Sequence, residues 1–579
     1  MVRVALLLGA LGMAAVTASA ANADTLHVEI EGLDAELRDN VLALLDAARE
    51  QDSRDLTGDR IQLLHRQAEA EIRSALEPFG YYRPSINKML THEGDEWRAR
   101  YDIVPGPRML IGQFELSITG DGANDSAFAA WRAKLPLAVG SALLHARYEE
   151  TKRALSRLAA DRGYFDARFT RNEIRVDLDR YTAAVFLDFD TGPRYRFGPV
   201  EFKVEGNLSP DWLSRYVGFE DGEPFNAASI ADLQRDLLGT DYFSTVDIQP
   251  MPARASNGRV PIEVTMVQRK RDRYTTGVGY GTDTGARGTL GWERRYIGDR
   301  GQKFTSKLEV SQVRAGVSTQ YTIPVYRPAT DRIAFTANWT HDYPDTSDSR
   351  TLETGSSLTR GFGSWLLTGS LNVHRERFEV ANDRGETTLL IPGTSALLVR
   401  TDDRIVARRG YRWQLDLRGA SEDVVSDLSF LQGRAQLKVI HALGTRGRLI
   451  ARTDGGATRT DDFEDLPATL RFFAGGDNSV RGYAYQSIGP VNAEGEVTGG
   501  KYLLVGSIEY EHAVYKKWSA AVFYDVGNAF LGAGEPFKAG TGIGVRWRSP
   551  LGNIRLDVAN AVSEPDRPWR IHFTLGPDF

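Results

Sequence analysis

The sequence predicts three tandem α+β repeats followed by an all-β transmembrane barrel of about 16 strands. Residues 24–268 alternate short strand patterns with helical ones, whereas residues 269–579 lose the helical period and alternate apolar with polar side chains. Residues 1–23 have the pattern of an export signal. An exported chain without an apolar run of about 20 residues can enter a membrane only as a closed barrel.

The first 23 residues predict a secretory signal peptide. Arg3 supplies the positive charge, and the apolar run ALLLGALGMAAV follows it. The run is too short to span a bilayer as a helix, and the small residues of ASAANA suit signal peptidase. We therefore expect cleavage after Ala23 and export of the rest.

Composition and motifs exclude several classes of function. The 579 residues carry a net charge of −6 and contain no cysteine. This balance gives no basic surface for nucleic acid, and the lack of thiols excludes disulfides and thiolate metal sites. The sequence also contains no G-x-S-x-G, P-loop or H-E-x-x-H pattern. We expect no enzyme activity, no cofactor, no metal site and no nucleic-acid partner.

The N-terminal part reads as one pattern repeated three times: strand, helix, helix, strand, strand. In each repeat the second helix runs into a glycine, and an aromatic residue follows closely. These glycines, which we expect to terminate the helices, are Gly80, Gly163 and Gly239. The predicted repeats cover residues 24–106, 107–192 and 193–268.

The C-terminal part predicts a membrane barrel rather than a soluble sandwich. It holds about 16 alternating segments over about 311 residues, which is the spacing of tilted membrane-crossing strands and turns. In SAAVFYDVGNAF, Val522 and Tyr524 share one face, and Phe523 and Asp525 share the other. Asp525 should therefore face a polar lumen. A sandwich usually ends after seven to nine strands.

The strand count also predicts on which side of the membrane the repeats and the long loop lie. An even number of strands returns the last strand to the side on which the first began, so the exported repeats lie in the periplasm. A long loop at about 462–498 then falls between the eleventh and twelfth strands, on the extracellular side. Long loops without regular structure are usually functional.

Two motifs give the chain a family resemblance. AGGDNSVRGY and FYDVGNAF resemble the two barrel motifs of the BamA/TamA superfamily of outer-membrane assembly and translocation proteins. The three repeats are similar to the POTRA domains that precede the barrel in that family. The matching residues are Val480, Arg481, Gly482 and Tyr483 in the loop, Phe523, Asp525 and Gly527 on the barrel wall, and a C-terminal aromatic, Phe579.

The resemblance implies a location, an activity and partners. The chain is expected in the outer membrane of a Gram-negative bacterium. Three POTRA domains are typical of the TamA group, which implies a TamB-like inner-membrane partner and a role in inserting or secreting outer-membrane proteins such as autotransporters. Outer-membrane lipid is a further expected partner. A general BamA-like insertase, a two-partner secretion transporter and, from a different class, a passive porin remain alternatives.

Both closing strands of the barrel contain residues that weaken pairing. The first strand carries glycines on one face, and the last ends in a glycine and a proline, which lacks a ladder donor. These residues are Gly277, Gly279, Gly281, Gly576 and Pro577. We expect a lateral gate at which a nascent strand can pair with an exposed edge. Alternatively, the glycines serve barrel curvature.

Arg481 is the candidate key residue of the loop. The alternation around Asp525 points its carboxylate inward, so Arg481 should fold back into the lumen and grip it with two hydrogen bonds. Tyr483 is expected to pack beside the pair. The alternative is a solvated loop arginine.

Overall fold

A computed structural model describes residues 24–53, 55–549, 552–576 and 578. The predicted signal peptide, Pro577 and Phe579 lie outside the described residues. The chain forms two compact units. One extends to Pro199 and includes Asp221–Ala228 and Met251–Pro261, and the other contains Val200–Glu220, Ser229–Pro250 and Ile262–Phe579.

The first two repeats each form a three-stranded sheet covered by helices. The first comprises β1 (Thr25–Glu31), α1 (Ala35–Leu44), α2 (Asp46–Arg49), α3 (Gly58–Leu76), β2 (Ser85–Glu93) and β3 (Glu96–Val104). The second comprises β4 (Leu110–Thr119), α4 (Ser126–Arg132), α5 (His145–Asp161), β5 (Arg168–Asp177) and β6 (Thr182–Asp190). In both, the last strand lies in the centre, parallel to the first and antiparallel to the second.

The third repeat has the same strand order. It comprises β7 (Arg196–Glu205), α6 (Pro210–Leu213), α7 (Ala227–Gly239), β8 (Phe243–Pro250) and β9 (Arg259–Gln268). Its helix ends differently from the expected pattern. Gly80 and Gly163 adopt φ values of 87° and 83°, as helix-terminating glycines do. In the third repeat Gly239 is still helical, and Asp241 takes the positive φ of 62°.

The rest of the chain is a single antiparallel sheet of 16 strands in sequence order, curled into a nearly closed barrel. This confirms the predicted fold class. The strands are β10 (Asp272–Gly281), β11 (Gly285–Ile297), β12 (Gln302–Val310), β13 (Arg314–Pro324), β14 (Arg332–Asp342), β15 (Ser347–Phe362), β16 (Trp365–Val380), β17 (Asp383–Thr401), β18 (Gly410–Ala420), β19 (Phe430–Leu443), β20 (Gly447–Thr460), β21 (Tyr502–Tyr515), β22 (Trp518–Phe530), β23 (Lys538–Ser549), β24 (Gly552–Asn560) and β25 (Trp569–Gly576).

Strand alternation gives the barrel an apolar outside and a polar inside. On β22, Val522 and Tyr524 are 51% and 48% exposed, whereas Phe523 and Asp525 are buried against the lumen. This is the arrangement of an outer-membrane barrel. Within the part of the chain that the structure describes, the helices are all too short or too polar to cross a bilayer.

Part of the third repeat packs on the barrel within the second unit. The Tyr242 hydroxyl donates to the Gly301 carbonyl at 2.6 Å, in the turn between β11 and β12. A Cβ on Gly301 would overlap the Trp212 ring, so only glycine allows this close approach. The contact holds this part of the third repeat at the end of the barrel where β10 begins.

Candidate functional site

The loop between β20 and β21 folds into the barrel lumen. Several of its apolar side chains pack with those of the barrel wall instead of facing solvent. The buried cluster consists of Phe472, Ala474, Val480, Tyr483 and Ile488 from the loop with Leu503, Val505, Ala529 and Ala561. Burial of this apolar surface favours the inward position of the loop.

The first part of the loop is held by the wall at β16 and β17. The Glu376 carboxylate accepts hydrogen bonds from the backbone N–H of Thr469, at 3.2 Å, and from its hydroxyl. Arg471 donates to Asp383 at 2.7 Å. This half of the loop therefore has charged anchors of its own, separate from the VRGY tip.

The tip of the loop places Arg481 against Asp525 of β22. The guanidinium Nε and Nη2 donate to the two carboxylate oxygens at 2.7 and 2.9 Å, and the Arg481 backbone N–H donates to the same carboxylate at 3.1 Å. Ser507 donates a further hydrogen bond to it at 2.6 Å. The contact expected from strand alternation is thus present, with bidentate geometry that lysine cannot reproduce.

Arg481 also joins a wider charge network on β21 and β24. Its Nη1 donates to Glu509 at 2.6 Å and to Asp557 at 3.2 Å. Arg546 of β23 binds the same two carboxylates, at 2.8 and 2.5 Å. Two arginines from separate parts of the chain therefore share two acids, and the loop closes the network.

Burial decides how strong this network is. Arg481 is 4% exposed and Asp525 0%, and the Arg481 guanidinium carbon lies 3.4 Å from the centre of the Phe523 ring. Water therefore does not screen the pair as it screens surface ion pairs. Removing Arg481 would leave the buried Asp525 carboxylate without its closest counter-charge, which is costly in a buried site. Tyr483 packs in the apolar cluster and donates to the Ala539 carbonyl at 3.4 Å.

Three glycines of β23 leave room for the loop tip and for two side chains that contact Arg481. A Cβ on Gly540 would overlap the Arg481 carbonyl oxygen, and one on Gly542 would press on the Phe523 ring. A Cβ on Gly544 would overlap the Asp557 carboxylate. Sequence reasoning missed these residues, although three alternating glycines in KAGTGIGVRW were a visible signal of close approach.

Gly540→Ala is expected to displace the loop tip while leaving Arg481 and Asp525 intact, because the new methyl group occupies the place of the Arg481 carbonyl. External protease should then cleave the loop in a barrel that still shows heat-modifiable migration on a gel. Gly369→Ala is the matched control, since a Cβ at that strand position meets nothing within 4 Å. Equal protease resistance of the two variants would contradict the prediction.

The seam between β10 and β25 is the weakest junction in the barrel. Among the described residues, these two strands form no ladder, whereas β10 pairs with β11 along its whole length. In the described part of the two strands and their ends, two hydrogen bonds cross the seam, and both join Thr282 to Phe573. The Thr282 hydroxyl accepts from the Phe573 backbone N–H at 2.9 Å, and the Thr282 backbone N–H donates to the Phe573 carbonyl at 3.4 Å. The Tyr280 and Phe573 rings lie 6.3 Å apart.

The seam glycines lie as follows. Gly277, Gly279 and Gly281 lie on the face of β10 that meets side chains of β11 and of the following turn, and all three are paired in the β10–β11 ladder. Gly576 ends β25. Gly527, in the wall motif, lets β22 approach Val505 of β21 closely.

Asp578 lies among charged side chains of the barrel lumen. The Asp578 carboxylate accepts from Arg448 of β20 at 2.6 Å and from Arg555 of β24 at 2.7 Å. Its backbone N–H donates to the Ile405 carbonyl, in the turn between β17 and β18, at 3.1 Å. The sequence predicts a last strand over residues 570–578, whereas β25 spans Trp569–Gly576 and the Asp578 side chain binds charged side chains of the lumen instead.

The loop tip also touches the turn between β10 and β11. The backbone N–H of Asp477 donates to the Asp283 carboxylate at 2.6 Å. Burial, together with the neighbouring Asp477 carboxylate, raises the pKa of Asp283 to about 6. Glu509, Arg546, Asp557, Asp477 and His572 were all missed from sequence, since inward-facing polar residues occur on every strand of such a barrel.

Comparison with known proteins agrees with this geometry. Residues 265–579, more than half of the chain, match the Omp85 superfamily domain, and residues 27–105 match the POTRA domain TamA domain 1. The outer membrane protein assembly factor BamA of Nitratidesulfovibrio vulgaris is 25% identical over 402 residues, which cover 65% of this chain and 50% of that protein. BamA of Neorickettsia risticii is 23% identical over 429 residues, which cover 67% of this chain and 55% of that protein.

A plant protein and a solved structure extend the comparison. Outer envelope protein 80, chloroplastic, of Arabidopsis thaliana is 24% identical over 461 residues, covering 68% of this chain and 56% of that protein. The crystal structure of Haemophilus ducreyi BamA lacking POTRA domains 1-3 superposes with a TM-score of 0.66 at 15% identity. The match covers 81% of this chain and 99% of that one, so the two share a fold. The chain spans about half the length of the curated relatives it matches. With its barrel matched throughout, it belongs to the Omp85 superfamily.

Proposed function

We propose that this chain promotes insertion or secretion of outer-membrane proteins, autotransporters among them, at a lateral gate between β10 and β25. The observation that carries the proposal is the seam. Every other neighbouring pair of barrel strands is joined by a ladder, whereas Thr282 and Phe573 make the hydrogen bonds described across this junction.

The chain's class and location support this function. It is a non-enzymatic outer-membrane protein with its α+β repeats in the periplasm. A β10 edge without a ladder partner offers unpaired N–H and C=O groups to a nascent strand. Such a strand can pair by β-augmentation while its apolar face enters lipid. Nascent outer-membrane proteins are therefore the proposed substrates.

Three repeats and a first repeat of TamA type favour a TamA-like role with a TamB-like inner-membrane partner. Outer-membrane lipid is a second proposed cargo, since an open seam joins the lumen to the bilayer. A general BamA-like insertase and a two-partner secretion transporter are the related alternatives. A passive porin is disfavoured because it has no need of three α+β repeats ahead of its barrel.

The function is tested with the full-length protein in liposomes. An unfolded outer-membrane barrel protein is added, and its folding is followed by heat-modifiable gel migration. An assembly factor should speed folding well above that in empty liposomes. A porin reconstituted at the same density is the control, and equal rates for both proteins would refute the proposed activity.

Deleting the first repeat, residues 24–106, is expected to leave a folded barrel but impair docking of the inner-membrane partner, because the repeat offers exposed strand edges for pairing. Gel migration reports barrel folding, and co-purification reports the partner. A truncated chain that still retains the partner fully would make this repeat a spacer.

A further inference from the structure

The tip of the loop touches both strands that form the seam. The Asp477 carboxylate accepts a hydrogen bond from the Thr282 hydroxyl, at the end of β10, at 2.8 Å. The same oxygen lies 2.6 Å from Nδ1 of His572, on β25. One loop carboxylate therefore bridges the two sides of the gate.

The hydrogen bonds of His572 fix its tautomer. The backbone N–H of Gly482 lies 2.8 Å from Nε2 of His572 and can only donate. Nε2 is therefore the acceptor, and Nδ1 carries the proton that is donated to Asp477. Gly482 stands next to Arg481, so this histidine connects β25 to the residue that docks the loop.

Thr282 completes the connection on the other side of the seam. Its hydroxyl accepts from the Phe573 backbone N–H at 2.9 Å while it donates to Asp477. One side chain thus makes both a seam hydrogen bond and a loop hydrogen bond. The Asp477 and His572 side chains are 5% and 1% exposed, so water competes little for these bonds.

We propose that Asp477 is a positioning residue that couples loop docking to closure of the seam, through Thr282, which directly follows β10, and His572 on β25. The consequence for substrate entry rests on the proposed function, but the coupling itself does not. When the loop tip leaves its site, both sides of the seam lose a shared hydrogen-bond partner. When the seam opens, the loop loses one as well.

The coupling is tested by hydrogen exchange of the full-length protein in lipid nanodiscs, without any assembly assay. Asp477→Ala should speed exchange of the Phe573 amide, which Asp477 does not contact. Thr282→Val should speed exchange of the Gly482 amide, which Thr282 does not contact. Each variant loses two side-chain hydrogen bonds, so we expect about tenfold faster exchange. Such reciprocity is required of any true coupling between two sites.

Matched variants separate coupling from general loosening. Asp477→Asn keeps an accepting oxygen and should stay within about twofold of the native rate. Asn478→Ala changes the exposed neighbouring side chain, and Thr275→Val changes a threonine within β10. Both variants should leave exchange of the two amides unchanged. If Asp477→Ala speeds exchange in the loop alone, or Thr282→Val speeds it at the seam alone, the coupling is refuted. Failure of the folding assay in liposomes, with the coupling intact, would refute only the proposed function.

Discussion

Arg481→Ala is expected to release the loop from the lumen and abolish assembly activity while the barrel stays inserted. The variant loses the two hydrogen bonds that grip Asp525 and the one that reaches Glu509 at 2.6 Å. The Asp525 carboxylate would remain buried without its main counter-charge, whereas Glu509 would keep Arg546. Breaking a buried ion pair in this way costs about 3–5 kcal/mol, which is ample to undock the loop.

The measurement combines external protease cleavage of the loop with the folding assay in liposomes. Arg384→Ala, on an exposed arginine of β17, is the control and should behave as the native protein does. Arg481→Lys should recover the charge but not the bidentate grip, so we expect partial protection. A fully protected loop in Arg481→Ala would show that the apolar cluster alone holds it.

Asp525→Asn should resemble Arg481→Ala, and the double variant tests whether the two side chains act together. Because they contact each other directly, the combined loss of loop protection should be smaller than the sum of the single losses by at least about 1 kcal/mol. Simple addition of the two losses would mean that Arg481 acts through Glu509 and Asp557 instead.

A disulfide across the seam is expected to block assembly completely and reversibly. Tyr280→Cys with Phe573→Cys places the pair where the native rings lie 6.3 Å apart. The chain has no other cysteine, so the crosslink is unique. A covalent closure prevents a nascent strand from reaching the β10 edge, and reductant should restore activity.

The matched control shares one of the two cysteines. Leu556→Cys with Phe573→Cys joins β24 to β25, whose residues 556 and 573 are already partners in the ladder. This crosslink should form without loss of activity, since it leaves the β10 edge free. If the seam crosslink also leaves activity unchanged, the gate need not open, and the lateral mechanism is wrong.

Local sequence patterns were enough to predict the fold class. The period of two along each strand fixes which side chains face inward, so Asp525 could be assigned to the lumen from its neighbours alone. The repeated strand–helix–helix–strand–strand order gave the three repeats. Where local rules failed, as at Gly239, the left-handed residue came two positions later, at Asp241.

Only the tertiary structure decided which inward-facing groups meet. The alternation along each strand shows which side chains face the lumen, but barrel closure determines which strands face each other across it. Asp477 lies 195 residues from Thr282 and 95 from His572, and no local pattern connects them. The sequence by itself therefore determined a barrel with an inward-facing Asp525 and a glycine-rich closing strand. Folding the loop into the lumen decided that Arg481 shares Glu509 and Asp557 with Arg546, because contacts between distant strands depend on the closed sheet.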